Sequence, residues 1–293
     1  MPIFRSIQFG HNIKSVGVPA IADEGGAKWM IAKSRYVISC DMRVLNRDQA
    51  ASLRSRFIPD RPGPLVGLHV LQTGNGTCSA DRWPNPQAIL AEAAGNYLLV
   101  GEPEALVPDD LIQARLVGFV EASEPFEPLL RTAFGTLAVW PRVILELQPS
   151  TTPAPFHSVM GSVHRLGPAD GPAVRGLSPE VGWLAKTWGG PSGLAASGYA
   201  WGALAEGRLV SLACSFFVGE RFEDIGVATE PAYRGRGLAF LCASSLCGDI
   251  RDRGRRPSWS TSPDNSASLG VAQKLGFSLQ RHDRLLLVGR DAP

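Results

Sequence analysis

The chain has 293 residues, 44% of them hydrophobic and 19% charged, and its formal net charge at pH 7 is +2. That length suits two domains, each large enough to bury a core, and the charge is too small to imply nucleic acid as the main partner. The apolar runs are short and broken by glycine and proline, so none reaches the roughly twenty apolar residues of a membrane span.

Residues 1–41 differ in texture from the rest of the chain and read as an N-terminal extension whose order a single sequence leaves open. The start, Met1-Pro2-Ile3-Phe4-Arg5, has no long apolar segment behind it and gives no secretory signal. A helix is expected over residues 46–54 with Asn46 as its cap, because asparagine accepts the free N–H groups of a first turn. Ala88 to Ala93 and Tyr97 to Val100 read as strands joined by a hairpin at Gly95-Asn96. A helix near Glu127 to Ala133 and a strand from Val143 to Leu147 complete an α/β partner domain, residues 42–147, that offers no phosphate-cradling feature. Three prolines between Gln148 and Pro155 then predict a linker over residues 148–156, since proline fits neither a helix interior nor a sheet centre.

From 157 to 293 strands and helices alternate. Strands are expected near 159–166, 199–204, 209–218 and 223–229, with helical turns at Pro168-Ala169-Asp170 and near 183–188. Next comes the most informative run of the chain, Val227-Ala228-Thr229-Glu230-Pro231-Ala232-Tyr233-Arg234-Gly235-Arg236-Gly237-Leu238-Ala239. An apolar strand empties through a turn into an arginine-and-glycine loop that opens a helix running to about Arg253. Glycines let backbone N–H groups approach phosphate oxygens, a new helix offers unpaired N–H groups at its positive end, and arginines add charge-assisted donors. A P-loop is excluded because no Lys-Ser or Lys-Thr follows, and a dinucleotide fingerprint because its third glycine is absent. A strand at 258–261, a helix over 266–274 opened by Asn265-Ser266-Ala267-Ser268 and closed by Lys274-Leu275-Gly276-Phe277, and a strand at 284–288 end the pattern.

Taken in this order and at this separation, the Arg234/Gly237/Ala239 loop and the Asn265 to Phe277 block resemble the GNAT superfamily of acyl-CoA-dependent N-acyltransferases. The resemblance covers nearly all of residues 157–290. It implies a GNAT domain at 157–293, a mostly antiparallel mixed sheet flanked by helices. The smaller α/β domain before it is either a degenerate GNAT-like unit or an unrelated one. It further implies acetyl-CoA as acyl donor, held by Val227, Ala228 and Thr229 through their backbone, by Arg234, Gly235, Arg236, Gly237, Leu238 and Ala239 at the pyrophosphate, and by Asn265 and Ser268 along the pantetheine arm.

Transfer to an amine also needs a base, because alkyl amines are mostly protonated at neutral pH. Glu223 occupies the position where many family members place a catalytic glutamate. Asp224, one residue on, faces the other side of the strand and is the second candidate. Many relatives carry a tyrosine seven residues after the helix asparagine; here that residue is Ala272, which leaves the general acid unassigned. Trp188, Tyr199 and Trp201 fall where relatives build the acceptor groove, and aromatic plates suit an apolar or cationic amine.

The acceptor is therefore expected to be a small amine-bearing molecule, antibiotic-like or amino-acid-like, with a protein N-terminus or lysine as a rival and a CoA-binding module of weak activity as another. Five cysteines without metal-ligand spacing point to reduced thiols in the cytoplasm, and no residue cluster suggests a metal. Cys242 and Cys247 read as small buried apolar residues. The basic run Arg251 to Arg256 reads as a solvated helix end or as help with the coenzyme's outer phosphate. An oligomer is possible but nothing in the sequence indicates one.

Overall fold

The computed structural model describes residues 42–58, 60–148 and 162–290. The expected extension 1–41 and all of the expected linker beyond Gln148 lie outside the described residues.

Before residue 149 the elements are β1 (Arg43–Val44), α1 (Arg47–Ser52), α2 (Val66–Thr73), β2 (Thr77–Ala80), β3 (Ala88–Ala93) and β4 (Asn96–Gly101), then α3 (Pro108–Gln113), β5 (Gly118–Ala122), α4 (Glu127–Phe134) and β6 (Ala138–Leu147). After residue 161 come β7 (Ser162–Arg165), α5 (Gly171–Arg175), α6 (Pro179–Gly182), α7 (Pro191–Ser197), β8 (Ala200–Ala205), β9 (Arg208–Val218) and β10 (Phe222–Thr229). The chain closes with α8 (Leu238–Asp252), β11 (Arg256–Thr261), α9 (Ser266–Leu275) and β12 (Phe277–Val288). The Asn46 cap forms as the sequence predicts: its side chain accepts the Gln49 N–H and the Gln49 side chain returns the bond.

The two halves run through the same order: a strand, helices, three strands, a helix, a strand, a helix and a final strand. All twelve described strands make one sheet in the order β1-β2-β3-β4-β5-β12-β6-β11-β10-β9-β8-β7. Each half therefore gives its last strand to the other. β6, expected from residue 143 onward as the end of the first domain, begins at Ala138 and pairs antiparallel with both β11 and β12. β12 in turn lies between β6 and β5. Every neighbouring pair of described strands is antiparallel except β4 with β5 and β10 with β11, which occupy equivalent places in the two halves.

Both faces of the sheet are covered. α3 and α4 pack with Leu90, Leu99 and Val120 on one face of the first half, and α8 and α9 with Leu145, Trp259 and Phe277 in the second. On the opposite face lie α1 and α2 with Ile89 and Ala91, and α6 and α7 with Leu212 and Cys214. α8 buries Leu238, Cys242, Ala243, Leu246, Cys247 and Ile250, a helical stripe whose small members let it lie close to the strands. Burial pushes the Cys242 and Cys247 thiols up to about 12, as befits apolar packing.

The halves are also tied by polar contacts. Asp60 accepts the backbone N–H groups of Glu220 (2.5 Å) and Arg221 (2.7 Å) in the turn between β9 and β10. A Cβ on Gly219 would lie 2.7 Å from the same carboxylate, so that turn needs glycine for the approach.

Candidate active site

β10 and β11 pair in parallel only from Phe222/Arg256 to Ile225/Trp259. Beyond Ile225 they part, while β10 stays bound to β9 as far as Thr229 and β11 stays bound to β6 as far as Thr261. The sheet opens there into a wedge, and the edge of Gly226 to Thr229 that faces away from β9 has no described strand beside it. Thr229 contributes backbone only, because its hydroxyl is engaged with Ser211 at 2.7 Å. A register shift between Asp224 and Ile225 marks a bulge where the strands begin to part.

The glycine loop stands at the mouth of the wedge. Gly235 (φ 76°) and Gly237 (φ 79°) both take the left-handed conformation that side chains disfavour. Gly237 is the N-cap of α8 and supplies no side-chain cap, which leaves the first-turn N–H groups to an outside acceptor. Space around Gly235 is open, with no atom within 4 Å of a Cβ built there. Arg234 donates to the Thr229 carbonyl at 3.1 Å and meets Glu180 at 2.5 Å, bracing the loop against β10. Arg236 lies over the Tyr233 ring and donates to the Ala232 carbonyl at 3.1 Å. Leu238 is buried and Ala239 half-buried as α8 begins. A left-handed turn, an uncapped helix start and two arginines are the features that suit a phosphate group.

Asn265 caps α9 by accepting the Ser268 N–H at 3.0 Å, and the Ser268 hydroxyl accepts the Trp259 indole N–H at 2.9 Å. Both stand on the helix that follows β11, the other wall of the wedge. Ala272 is fully buried in the core under that helix.

The adjacent carboxylates of β10 have opposite surroundings. Glu223 is wholly buried and takes hydrogen bonds from Arg253 (2.9 and 2.7 Å), Arg255 (3.0 Å) and the Ser215 hydroxyl. The basic run that the sequence suggests is solvated or phosphate-binding turns inward here, with Arg253 and Arg255 on Glu223 and Arg256 on Glu146. Asp224 faces the other side of the sheet, where Oδ1 accepts from Ser258 (3.0 Å) and Ser260 (3.1 Å). Burial pushes its carboxyl up to about 6, outweighing those two hydroxyls and the nearby Arg142 and Arg281. Gly226, next along the same face, is pressed by Leu184 and Phe216, whose atoms would lie 2.5 and 3.2 Å from a Cβ there. Trp183 packs edge-on against Phe216 at 5.1 Å.

Of the expected acceptor residues, Trp188 and Tyr199 stack at 4.9 Å and line a cavity of about 850 Å³ with Gln72, Asn75, Glu220 and Arg255. That cavity flanks the start of β10, away from the loop that follows its end. Trp201 instead donates its indole N–H to Asp249 of α8 at 2.6 Å, joining neither the cavity nor the wedge. Phe216, Ser258, Ser260, Arg142 and Arg281 carry no motif, and only strand register brings them beside Asp224.

Among the described residues no group of histidine, cysteine or carboxylate side chains is placed to hold a metal ion. No described helix is long and apolar enough to cross a membrane.

Comparison with known proteins adds to this geometry. The GNAT acetyltransferase family model matches residues 179–284. The chain is 38% identical over 200 residues to an uncharacterized N-acetyltransferase in the mutA 5′ region of Streptomyces virginiae, covering 67% of this chain and 83% of that protein. It is 32% identical over 252 residues to the uncharacterized N-acetyltransferase YdfB of Bacillus subtilis, covering 80% and 94%. Among solved structures, a GCN5-related N-acetyltransferase-like protein from Streptococcus suis matches with TM-score 0.62 and 20% identity over 83% of this chain and all of that one. A tandem GNAT protein of the clavulanic acid biosynthesis pathway matches with TM-score 0.54 and 13% identity over 86% and 99%, a likeness of fold.

Proposed function

The chain belongs to the GNAT acetyltransferase family, and from that premise we propose that it transfers an acetyl group from acetyl-CoA to a primary amine of a small molecule. The observation that carries this reading is the wedge between β10 and β11 with the uncapped start of α8 at its mouth. The backbone edge of Val227, Ala228 and Thr229 suits an amide-bearing arm laid along it as a further strand, and the Gly235 to Ala239 turn suits a pyrophosphate. Acetyl-CoA supplies an activated thioester whose leaving thiol has an ordinary pKa near 8.5.

The side chains of the acceptor face provide what the amine requires. Asp224 is the proton acceptor in this reading, because its carboxyl is held near neutrality and turns toward the face that Gly226, Phe216 and Trp183 line. Of the two protons that an ammonium loses on becoming an amide, Asp224 takes one and passes it to solvent, and the other leaves with the thiol. Ser258 and Ser260 keep the carboxyl aimed. Glu223, closed off by two guanidiniums, instead fixes the start of β10 against the end of α8. A backbone N–H of the Val227 to Thr229 edge supplies the oxyanion donor.

The two sequence halves are read as a catalytic domain and a partner domain that lacks the cradle, since β4 ends at Gly101-Glu102-Pro103-Glu104 where β10 leads to glycines and arginines. The buried, unbridged Cys78, Cys214, Cys242 and Cys247 agree with work in the cytoplasm. The test is release of free thiol from acetyl-CoA across a panel of primary amines. No release with any amine overturns the reading.

A further inference from the structure

Beyond Asp224, the same face of the sheet continues across β11, β6, β12 and β5 with an unusual lining. Register puts Arg142 of β6 opposite Asp283 of β12, and Ile144 opposite both Arg281 and Ser260. Glu121 stands on the neighbouring β5. The centre of a broad sheet is ordinarily apolar, yet here Arg142, Arg281, Asp224, Asp283 and Glu121 share one patch, with the Glu146–Arg256 pair beside it.

The patch is only partly closed by its own ion pairs. Arg142 Nη2 meets Asp283 Oδ2 at 2.8 Å, and Arg281 reaches the same oxygen at only 3.8 Å while its Nη1 donates to the Pro62 carbonyl at 2.6 Å. Arg61 lies 3.5 Å from Glu121. Arg142 is 3% exposed, and its buried Nε–H has no hydrogen-bond partner among the described residues, although leaving such a donor unmade costs about 1–3 kcal/mol. Arg281, Asp283 and Glu121 keep side-chain exposures of 25%, 18% and 16%, so the rim of the patch is open to solvent while Asp224 and Arg142 lie beneath it. Burial raises the Glu121 and Asp224 carboxyls, which leaves the guanidiniums less fully matched.

Resting on the reading of the wedge as the acyl-transfer site, we infer that the acceptor carries a carboxylate beside its amine, as an amino acid or short peptide does. Arg142 and Arg281 hold the carboxylate, and Asp224 receives the amine. A mixed-sign patch beside the proton acceptor matches a zwitterion at both ends, whereas an amine without a carboxylate leaves the buried Arg142 Nε–H unanswered. Arg142 belongs to β6, so the exchanged strand delivers specificity from the first half of the chain to chemistry in the second.

The test measures binding separately from turnover. The full chain, saturated with coenzyme A, is titrated calorimetrically with the standard amino acids, and each binder is compared with its carboxamide and its decarboxylated amine. At least one amino acid is expected to bind about tenfold to a hundredfold more tightly than either analogue. Arg281→Gln should weaken that binding by a similar factor, raise KM with little change in kcat, and leave coenzyme binding untouched; its partial exposure makes it the variant more certain to fold, with Arg142→Met as the stronger probe. Equal affinity for the analogues, no binding of any amino acid, or unchanged affinity in Arg281→Gln overturns the inference. Selective binding without acetyl transfer would sustain it and refute the acetyltransferase reading instead.

Discussion

His69 of α2 accepts the backbone N–H of Val218 on its Nδ1 at 3.3 Å, pinning a helix of the first half to the end of β9. Its Nε2 donates to the Thr187 carbonyl at 2.8 Å, and the rings of Trp188 and Phe217 meet it edge-on. Burial holds the imidazole down to about 4, so it is neutral in the folded protein at pH 7. The unfolded chain binds the proton more readily between its ordinary 6.5 and 4, and stability should fall on acidification through that window by on the order of 3 kcal/mol. Urea unfolding of His69→Phe from pH 7 to pH 4 should lack this loss. An unaltered slope would show that His69 does not titrate as its site dictates.

Asp224 works in the opposite sense. Its folded carboxyl, near 6, binds the proton before the unfolded one at 3.8, so acidification between those values stabilises the fold by a comparable amount and offsets His69. Asp224→Asn should therefore steepen the acid loss in the same unfolding series. As the proton acceptor it should also impose an acid limb near pH 6 on kcat/KM. The variant should lose about a hundredfold to ten-thousandfold in turnover and the limb with it, while acetyl-CoA still binds. Retention of both would move the role elsewhere.

Glu223→Gln should behave as a stability variant. Removing one partner of a buried ion pair leaves uncompensated charge and costs about 3–5 kcal/mol, tempered here because Arg253 and Arg255 keep side-chain exposures of 23% and 21%. A drop of several degrees in Tm with an unchanged pH limb is expected. A variant of normal Tm that has lost its limb would return the base to Glu223.

Gly237→Val should abolish coenzyme binding. At a hundredfold excess over Kd, acetyl-CoA should stabilise the parent fold by about 2.7 kcal/mol. Valine is strained at φ 79° and crowds the N–H groups that open α8. Thermal melts of each protein with and without acetyl-CoA, each compared with its own baseline, check this; an undiminished shift would place the phosphates elsewhere.

A break engineered between residues 148 and 162 should leave one stable particle, because each fragment keeps its partner's last strand between its own. Co-elution of both fragments in size-exclusion chromatography is the expected outcome. Separation into two folded pieces would contradict the exchange.

Local chemistry made much of this legible. The loop Arg234 to Gly237 declares itself because glycine takes its two left-handed turns without strain, and Asn46 and Asn265 both cap the helices their sequence suggests. What stayed hidden is long-range. The last strand, expected over 284–288, already begins at Phe277 because β6 lies beside it. Arg142 and Arg281 are separated from Asp224 by tens of residues in either direction, and no spacing rule brings them to one patch. Glu223 and Asp224 differ by one place in the chain and by everything around them, a distinction made by which face of β10 each occupies.

The exchange of β6 and β12 has a bearing on how the chain is born. Leaving the ribosome, the first half has every element of its layout except the strand that belongs beside β5, and that strand is the last of the described elements to be translated. Until then β5 stands as an open edge and β6 can have only β11, itself late in the chain, beside it, a state open to mispairing with other chains. Closure of the sheet is thus deferred to the end of synthesis, and the long loops this closure must span favour slow folding. The same delay ensures that a chain stopped short of Phe277 lacks the central strand on which both halves depend.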